Sequence, residues 1–260
     1  MNDRSTTRQG RTVAWFSAGA ASTCATALAL KADPYAVVAY CDPGSEHEDT
    51  MRYIVDIERW LGIHVTMLRS EKYRDTWDVF DKTRYLVGPS GARCTTELKK
   101  LVRRDFQRPD DRQVFGFTFE ERKRADRFRQ MNPEVDLWTP LIDEQMTKAD
   151  CHAMVAEAGI EPHMMYRLGF NNANCKACPK GGMSYWNRVR VHFPDDFNRM
   201  AAVERELNIA VNREEKRIDG KRVSFPVFLD ELDPERGRGE VEPEIECGVL
   251  CPTDFDQAES

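Results

Sequence analysis

Short apolar runs alternate with amphipathic stretches in the first half of the chain. Runs rich in β-branched and aromatic residues predict four buried strands, at 12–16, 36–40, 64–68 and 113–119. Helices are predicted between the first three strands, at 21–30 and 46–61. A Ser45-x-x-Glu48 capping box would open the second helix and Gly62 would close it. This alternation predicts an α/β fold with a doubly wound parallel sheet.

The pattern changes in the second half of the chain. Helices are predicted at about 95–106, from a Thr147 cap to Glu157, and over 183–207 with an interruption at Pro194. Residues 213–239 are polar and rich in turn formers. We therefore predict a polar N-terminal tail at 1–11, an α/β domain at 12–161, and a C-terminal helical and loop appendage at 162–260 that contains cysteines and an acidic tail.

The net charge of −6 is unevenly distributed. Residues 230–260 hold eleven acidic residues against two arginines, a charge of −9, which leaves +3 for residues 1–229. Residues 99–129 hold eleven Lys and Arg against six acids, a charge of +5. These regions are either two solvated surfaces or an acidic tail beside a phosphate-facing groove.

Two expectations about location follow from composition. No stretch has the ~20 consecutive apolar residues that a membrane helix needs, and residues 1–11 do not resemble a signal peptide. We therefore expect a cytoplasmic protein without a membrane partner. In a reducing compartment, the eight cysteines are more suited to metal binding or chemistry than to disulfides.

A loop of small residues joins the first strand to the first helix. Its backbone could approach a phosphate closely, the helix N-terminus would supply N–H donors, and two serines would add hydroxyls. The loop residues are Ser17, Ala18, Gly19, Ala20, Ala21 and Ser22. A tight turn that only packs well would have the same sequence. The loop matches neither a Walker motif nor a dinucleotide fingerprint, which argues against ordinary P-loop NTPases and Rossmann dehydrogenases.

Asp42 follows the second predicted strand and would lie at the same sheet edge as this loop. One interpretation is a turn residue. The other is a ligand-binding residue that holds an adenosine ribose or base, or helps to position Mg²⁺.

Two pairs of closely spaced cysteines indicate a metal site. Cys175 and Cys178 form a Cys-x-x-Cys pair, and Cys247 and Cys251 form a Cys-x-x-x-Cys pair. Four thiolates from two loops can surround zinc or a 4Fe-4S cluster. The alternative is that these cysteines are simply buried. The isolated cysteines are expected to be buried structural residues: Cys24, Cys41, Cys94 and Cys151.

Several of these segments resemble one family. Ser17-Ala-Gly-Ala-Ala-Ser22 resembles the Ser-Gly-Gly-x-Asp/Ser-Ser pyrophosphate loop of the adenine nucleotide alpha-hydrolase superfamily, and Cys41-Asp-Pro-Gly-Ser-Glu-His47 resembles its Asp-Thr-Gly segment. Further segments resemble blocks of the phosphoadenosine phosphosulfate (PAPS) reductase family: Arg93 to Lys100, Gly116 to Arg124, and Pro140-Leu-Ile. The similarity covers roughly residues 12–207 and is greatest to phage-type and DNA-phosphorothioation-type ATP pyrophosphatases.

The resemblance implies a nucleotide-binding domain at 12–161 that binds ATP with Mg²⁺. Residues 17–22, Asp42 and Gly116 would contact the nucleotide, and Arg93 and Arg124 would act on its phosphates. The enzyme would adenylate an acceptor, with nucleic acid as the expected one, and sulfur from a donor such as a cysteine desulfurase would displace AMP. A 4Fe-4S cluster, or zinc as the alternative, would be held by the four paired cysteines. A homodimer is a candidate assembly.

Two alternatives remain open. Glu246-Cys-Gly248 matches the first part of the Glu-Cys-Gly-Leu-His motif of PAPS reductases, in which Cys247 would be the catalytic nucleophile and thioredoxin the reductant. Val249-Leu-Cys251 replaces the rest of that motif, which favours a metal ligand. Ala20 and Ala21 in the loop, the second at a position where many ATP pyrophosphatases carry Asp, motivate the other alternative, a non-catalytic nucleotide-binding accessory protein.

Overall fold

The computed structural model describes residues 10–88 and 91–239. These residues form two compact units, each built from several chain segments. Within the described residues, the first unit consists of 10–41, 48–68 and 103–163. The second unit consists of 42–47, 69–88, 91–102 and 164–239. Cys247, Cys251 and most of the predicted acidic tail lie outside the described residues.

Nine strands lie within the described residues. In chain order they are β1 Thr12–Phe16, β2 Val37–Cys41, β3 Val65–Leu68, β4 Val87–Gly88, β5 Gly91–Ala92, β6 Arg112–Val114, β7 Asp136–Trp138, β8 Asn212–Ile218 and β9 Lys221–Val227.

The first unit contains a five-stranded parallel sheet in the order β3-β2-β1-β6-β7. Strand β1 is fully buried, as its continuous apolar run predicts, and its Val13 pairs with Val37 on one side and Gln113 on the other. The chain adds β2 and β3 on one side of β1 and later β6 and β7 on the other. The strand order therefore reverses between β1 and β6, and ligands of open α/β sheets bind beyond the carboxyl ends of strands at such a point.

Eleven α-helical segments occur in the described residues. They are α1 Ala20–Ala32, α2 Asp49–Leu61, α3 Thr76–Thr83, α4 Arg93–Thr95, α5 Leu101–Phe106, α6 Arg122–Met131, α7 Pro140–Asp143, α8 Lys148–Glu157, α9 Met164–Arg167, α10 Met183–His192 and α11 Pro194–Leu207.

Helices flank the sheet of the first unit, which confirms the predicted α/β class with a parallel sheet. Small residues of α1, including Ala25 and Ala29, let that helix pack closely in the core. Helix α2 contributes larger side chains, among them Tyr53 and Ile57. Gly62 ends α2 in the left-handed conformation and Thr147 caps α8, both as predicted.

The second unit contains helices α9–α11, an antiparallel β8–β9 hairpin and a separate core. Its largest fully buried side chains include Trp186 and Met200. The predicted interruption of a long helix at Pro194 is confirmed, because α10 ends at His192 and α11 begins with that proline.

Glu204 is a fully buried acid of α11. Its carboxylate oxygens accept hydrogen bonds from the backbone N–H groups of Val211, at 2.6 Å, and Leu229, at 2.7 Å. Burial nevertheless raises the pKa of Glu204 from 4.5 to about 7. Because the folded-state pKa exceeds the unfolded one, this group's contribution to stability is complete below about pH 4.5 and is lost as the pH rises through about 7.

Several elements differ from the sequence predictions. Strand β6 ends at Val114 rather than 119, because the following residues turn into a short 3₁₀ helix, Phe119–Glu121. Strand β7 and the β8–β9 hairpin were not predicted. Helix α2 begins at Asp49, and the Ser45 capping box is wrong because the Ser45 hydroxyl accepts hydrogen bonds from Thr76 instead.

Among the helices of the described residues, none is both long and apolar enough to span a lipid bilayer.

Candidate functional site

The loop between β1 and α1 directs several hydrogen-bond donors at one oxygen atom. Ser22 Oγ accepts from the backbone N–H groups of Ser17, at 3.0 Å, and Gly19, at 3.3 Å, and from the Ser17 hydroxyl, at 3.1 Å. It donates to the carbonyl of Gly19 at 2.9 Å. Convergent donors of this kind at a helix N-terminus can also surround an oxygen of an anion.

Ala18 has a left-handed backbone within this loop. Its φ is +55°, and the residue is fully buried. An alanine in this conformation costs about 1–2 kcal/mol relative to a right-handed one. Backbone strain that the surrounding structure maintains is characteristic of functional loops. The first turn of α1 also lacks acidic residues, so the positive end of the helix dipole is not neutralised there.

Gly116 lies just beyond β6, the strand that pairs with β1 at the point where the strand order reverses. A Cβ atom at this position would lie 2.8 Å from both Cα and N of Ser22 and 2.9 Å from the carbonyl carbon of Ala21. Only glycine lets the backbone after β6 approach the start of α1 so closely. The structure therefore brings the predicted residue Gly116 into contact with the predicted loop 17–22.

The predicted residue Arg124 follows Gly116 in the chain. The guanidinium of Arg124 donates from Nη1 to Oε1 of Glu121 at 2.5 Å and lies 5.1 Å from the centre of the Phe117 ring. The other oxygen of Glu121 accepts from the Thr118 backbone N–H at 3.0 Å. Glu121 thus connects Arg124 to the beginning of the 3₁₀ turn, and Arg124 remains 24% exposed.

Two buried residues behind the loop were not predicted. The Thr23 hydroxyl donates to the Gly19 carbonyl at 2.9 Å and lies 3.1 Å from the Tyr53 hydroxyl. Because Thr23 directs its one hydrogen at Gly19, Tyr53 donates to Thr23. This chain of bonds connects α2 to the loop. These hydrogen bonds are difficult to predict from the sequence, because Tyr53 is separated from the loop by about thirty residues.

The predicted residue Asp42 belongs to the second unit. Its Oδ1 accepts from the Gly44 backbone N–H at 2.8 Å, and its Oδ2 accepts from Arg69 Nε at 2.9 Å. The first bond is that of a turn-forming aspartate. Both carboxylate oxygens therefore have protein partners.

Arg93 also belongs to the second unit and begins a helix with an unusual middle. Its Nε donates to Oε1 of Glu97 at 2.8 Å, and Glu97 is almost completely buried. Residues Thr96–Lys100 form a π-helical segment between α4 and α5. Such segments are frequent at functional sites because they widen the helix locally. The 95–106 helix prediction is thus correct in position but did not include this distortion.

Cys175 and Cys178 are both buried in one loop of the second unit. The Tyr185 hydroxyl donates to the Cys175 carbonyl at 2.6 Å and accepts from the Cys178 backbone N–H at 3.0 Å. This tyrosine fixes the backbone of the Cys-x-x-Cys loop. Within residues 10–88 and 91–239, no cluster of three or more His, Cys, Asp or Glu is arranged to hold a metal ion. The four-cysteine site stays a prediction, because its other two members lie outside those residues.

The isolated cysteines Cys24, Cys41, Cys94 and Cys151 are buried, as predicted. Two of them are neighbours, and the Cys24 thiol donates to the Cys151 carbonyl at 3.4 Å. A hydrogen bond with the Cys151 side chain, together with burial, raises the pKa of Cys24 far above that of an ordinary thiol. Cys24 is therefore not a thiolate nucleophile at neutral pH.

No protein-family model matches the chain. A protein of Methanocaldococcus jannaschii named Uncharacterized protein MJ0066 is 25% identical over 205 aligned positions, in an alignment that covers 74% of this chain. The matched region is 41% of that relative, so the chain spans well under two thirds of its length. The relative's name states no activity.

Proposed function

We propose that this chain is an ATP pyrophosphatase of the PAPS reductase type that adenylates an acceptor, with nucleic acid as the expected substrate, for sulfur transfer such as DNA phosphorothioation. The observation that carries the proposal is the convergence of the Ser17 and Gly19 donors on one oxygen, beside Gly116, at the reversal point of the parallel sheet. Strand order, helix dipole and loop conformation all favour an anionic ligand at this position.

The loop would bind the phosphates of ATP through its backbone. An oxygen of the ligand would take the position that Ser22 Oγ occupies relative to the N–H groups of Ser17 and Gly19, and the Ser22 hydroxyl would turn to donate to the ligand. The left-handed Ala18 lets these donors point in one direction. The proposal includes that the first unit has the architecture of the adenine nucleotide alpha-hydrolases.

The reaction would be a nucleotidyl transfer followed by a displacement. An acceptor oxygen attacks the α-phosphorus of ATP, the bond from that phosphorus to the α,β-bridging oxygen breaks, and pyrophosphate leaves with the electron pair. Hydrosulfide delivered by a sulfur donor then attacks the acceptor atom that carries the adenylate; the bond to sulfur forms, the bond to the AMP oxygen breaks, and AMP leaves with the electron pair. Arg124, oriented by Glu121, would stabilise the charge that develops on the phosphate oxygens, and Mg²⁺ would enter with the triphosphate.

In this proposal, the predicted metal site serves only to handle sulfur. The donor set of Cys175 and Cys178 fits two ligands of a tetrahedral thiolate site, since both thiols lie in one loop that Tyr185 fixes. Cys247 and Cys251 would supply the other two ligands. A cluster held there would support sulfur chemistry.

Product analysis tests the proposal against its alternatives. The full chain is incubated with Mg²⁺, duplex DNA and ATP labelled at the α-phosphate or, in a parallel reaction, at the γ-phosphate. We expect AMP or an adenylated acceptor from the first label and pyrophosphate from the second. Arg124→Ala should reduce the rate at least tenfold, whereas Arg59→Ala, which removes an exposed cation from α2, should not.

The other outcomes are equally specific. Release of ADP and phosphate would make the chain an ordinary ATPase and contradict the proposal. Release of sulfite from PAPS in the presence of thioredoxin, without pyrophosphate from ATP, would identify a reductase. Nucleotide binding without any turnover would identify an accessory protein.

A further inference from the structure

The β8–β9 hairpin of the second unit has two chemically different faces. Strand alternation and register place one set of side chains on the face that is exposed throughout. This set is Arg213, Glu215, Arg217, Arg222, Ser224 and Pro226. Side chains of the opposite face, such as Val223, Phe225 and Val227, are partly buried. We call the exposed set the arginine face.

The arginine face holds cations in an arrangement that does not favour the isolated hairpin. Arg217 lies directly opposite Arg222 in the strand register. Like charges in directly opposite positions destabilise a β-sheet pair, because their Cβ atoms are only about 4.5–5.5 Å apart. A sequence selected only for hairpin stability would place an acid at one of these positions. The pair therefore indicates a role outside the hairpin.

Acidic residues compensate this charge only in part. Glu215 is the acid of the arginine face, and its carboxylate lies 3.5 Å from Arg222. Glu214 is on the other face, where it pairs with Lys216 and Arg236. Within the described part of the chain, Arg217 has no ion-pair partner. The arginine face keeps an excess of two positive charges, and Lys221 adds another cation at the exposed tip.

We infer that the arginine face binds the phosphate backbone of duplex DNA. Arg213 and Arg217 are four residues apart on one strand, which corresponds to roughly 13 Å. Duplex DNA carries about one phosphate per 3.4 Å of axis on each strand, so this spacing covers several phosphates. A two-stranded ribbon also fits the major groove of B-DNA, whereas the major groove of duplex RNA is too narrow.

The composition of the arginine face argues against a protein partner. The centres of protein interfaces are enriched in aromatic residues and methionine and depleted of charge. Pro226 is the one apolar side chain of this face, and the rest are charged or hydroxylated. Arginine, by contrast, binds phosphate oxygens through two parallel hydrogen bonds.

This inference extends the proposed function, since it names the surface that would hold a nucleic-acid acceptor. It is tested without nucleotide. Failure of the wild-type chain to bind duplex DNA would therefore refute the surface and leave ATP cleavage to be judged separately, and failed ATP cleavage would leave the DNA-binding result intact.

The experiment measures binding of a fluorescein-labelled 30-base-pair DNA by anisotropy over a series of salt concentrations. The variant is the double substitution Arg217→Gln with Arg222→Gln, which removes the like-charge pair and so should not unfold the hairpin. A matched control, Lys31→Gln with Arg59→Gln, removes two exposed cations from the first unit. A second control, Arg217→Lys with Arg222→Lys, keeps the charge.

We expect the wild-type chain to bind the duplex. The glutamine variant should bind about tenfold more weakly at moderate salt, and the slope of log affinity against log salt should fall by roughly 1.8, or about 0.9 per phosphate contact. The matched control should bind like wild type, and the lysine variant should keep the salt slope. Equal affinities and slopes for the wild-type and glutamine proteins would overturn the inference. So would tighter binding of single-stranded DNA, duplex RNA or an acidic peptide than of duplex DNA.

Discussion

Replacing Gly116 by alanine would place a methyl group against the first turn of α1. The new Cβ would lie 2.8 Å from Cα and N of Ser22, which are backbone atoms that cannot rotate away. Non-bonded carbon atoms prefer separations of about 3.5–4.0 Å. The start of α1 must therefore move by roughly 0.7 Å or more relative to β6.

This displacement should affect stability and ligand binding separately. Overpacking of a well-packed region typically costs about 1–3 kcal/mol, so we expect the free energy of unfolding to fall by that amount. The same shift moves the donors of Ser17 and Gly19 out of their common geometry. Errors of this size in a positioned site can cost up to about a hundredfold, and we expect a loss of at least tenfold in ATP affinity.

The assay combines urea unfolding with calorimetric titration of ATP in the presence of Mg²⁺. Gly62→Ala is the matched control, because Gly62 has a φ of +65° but no atom within 4 Å of an added Cβ. It should lose about 1–2 kcal/mol of stability through backbone strain and keep its ATP affinity. Gly116→Ala protein that is folded and binds ATP with wild-type affinity would refute the placement of the phosphates at this loop.

Three further predictions concern Arg124, Glu204 and the paired cysteines. Arg124→Ala should weaken ATP binding tenfold or more in calorimetry, since a charge-assisted contact contributes about 1.5–3 kcal/mol. Arg124→Lys should keep only part of the ATP affinity that the alanine variant loses. A lysine variant with wild-type affinity would argue against a bidentate contact. As the pH rises from about 4.5 to above 7, ionisation of Glu204 should lower the free energy of unfolding by about 3 kcal/mol. Glu204→Gln should remove this pH dependence. Equal urea-denaturation pH profiles for the two proteins would contradict the raised pKa. Cys175→Ser and Cys247→Ser should lose the same iron or zinc, as measured by elemental analysis of anaerobically purified protein. The control variant Cys24→Ser should keep the metal. Full metal content in Cys247→Ser protein would exclude a four-cysteine site.

Local sequence patterns predicted most of the parallel sheet. Strands β1, β2 and β3 lie in nearly continuous apolar runs, although Thr66 and Met67 of β3 are not buried, and the helices between the strands end at recognisable signals such as Gly62. Strand β7 was missed because it has only three residues and begins with the exposed Asp136. The aromatic residues after β6 suggested a longer strand, but Phe115 and Phe117 are buried by contacts with each other and with Phe128.

Long-range contacts explain the other differences. The Ser45 hydroxyl binds Thr76, thirty-one residues away, and no local rule predicts that choice over a helix cap. The β8–β9 strands are highly charged and so lack an apolar strand pattern. Their Asp219-Gly220 turn, with positive φ at both residues, is a hairpin signal that could have identified them.

The part of the candidate site whose residues are contiguous in the sequence was predictable. The loop 17–22 is contiguous and lies at a strand-to-helix junction, so its sequence was sufficient. The contact between Gly116 and Ser22 depends on the pairing of β1 with β6, which distant segments create. The two units also combine separate segments, and sequence order alone could not show that residues 42–47 and 69–102 belong with the C-terminal helices.

We propose that the β1–α1 loop holds the phosphates of an adenine nucleotide, and this placement can be observed directly. A crystal structure of the full chain with Mg²⁺ and a non-hydrolysable ATP analogue tests it most directly. We expect phosphate oxygens within hydrogen-bond distance of the backbone N–H groups of Ser17 and Gly19, with the Ser22 hydroxyl turned from the Gly19 carbonyl toward the ligand. A nucleotide bound elsewhere, with the four Ser22 hydrogen bonds unchanged, would contradict it.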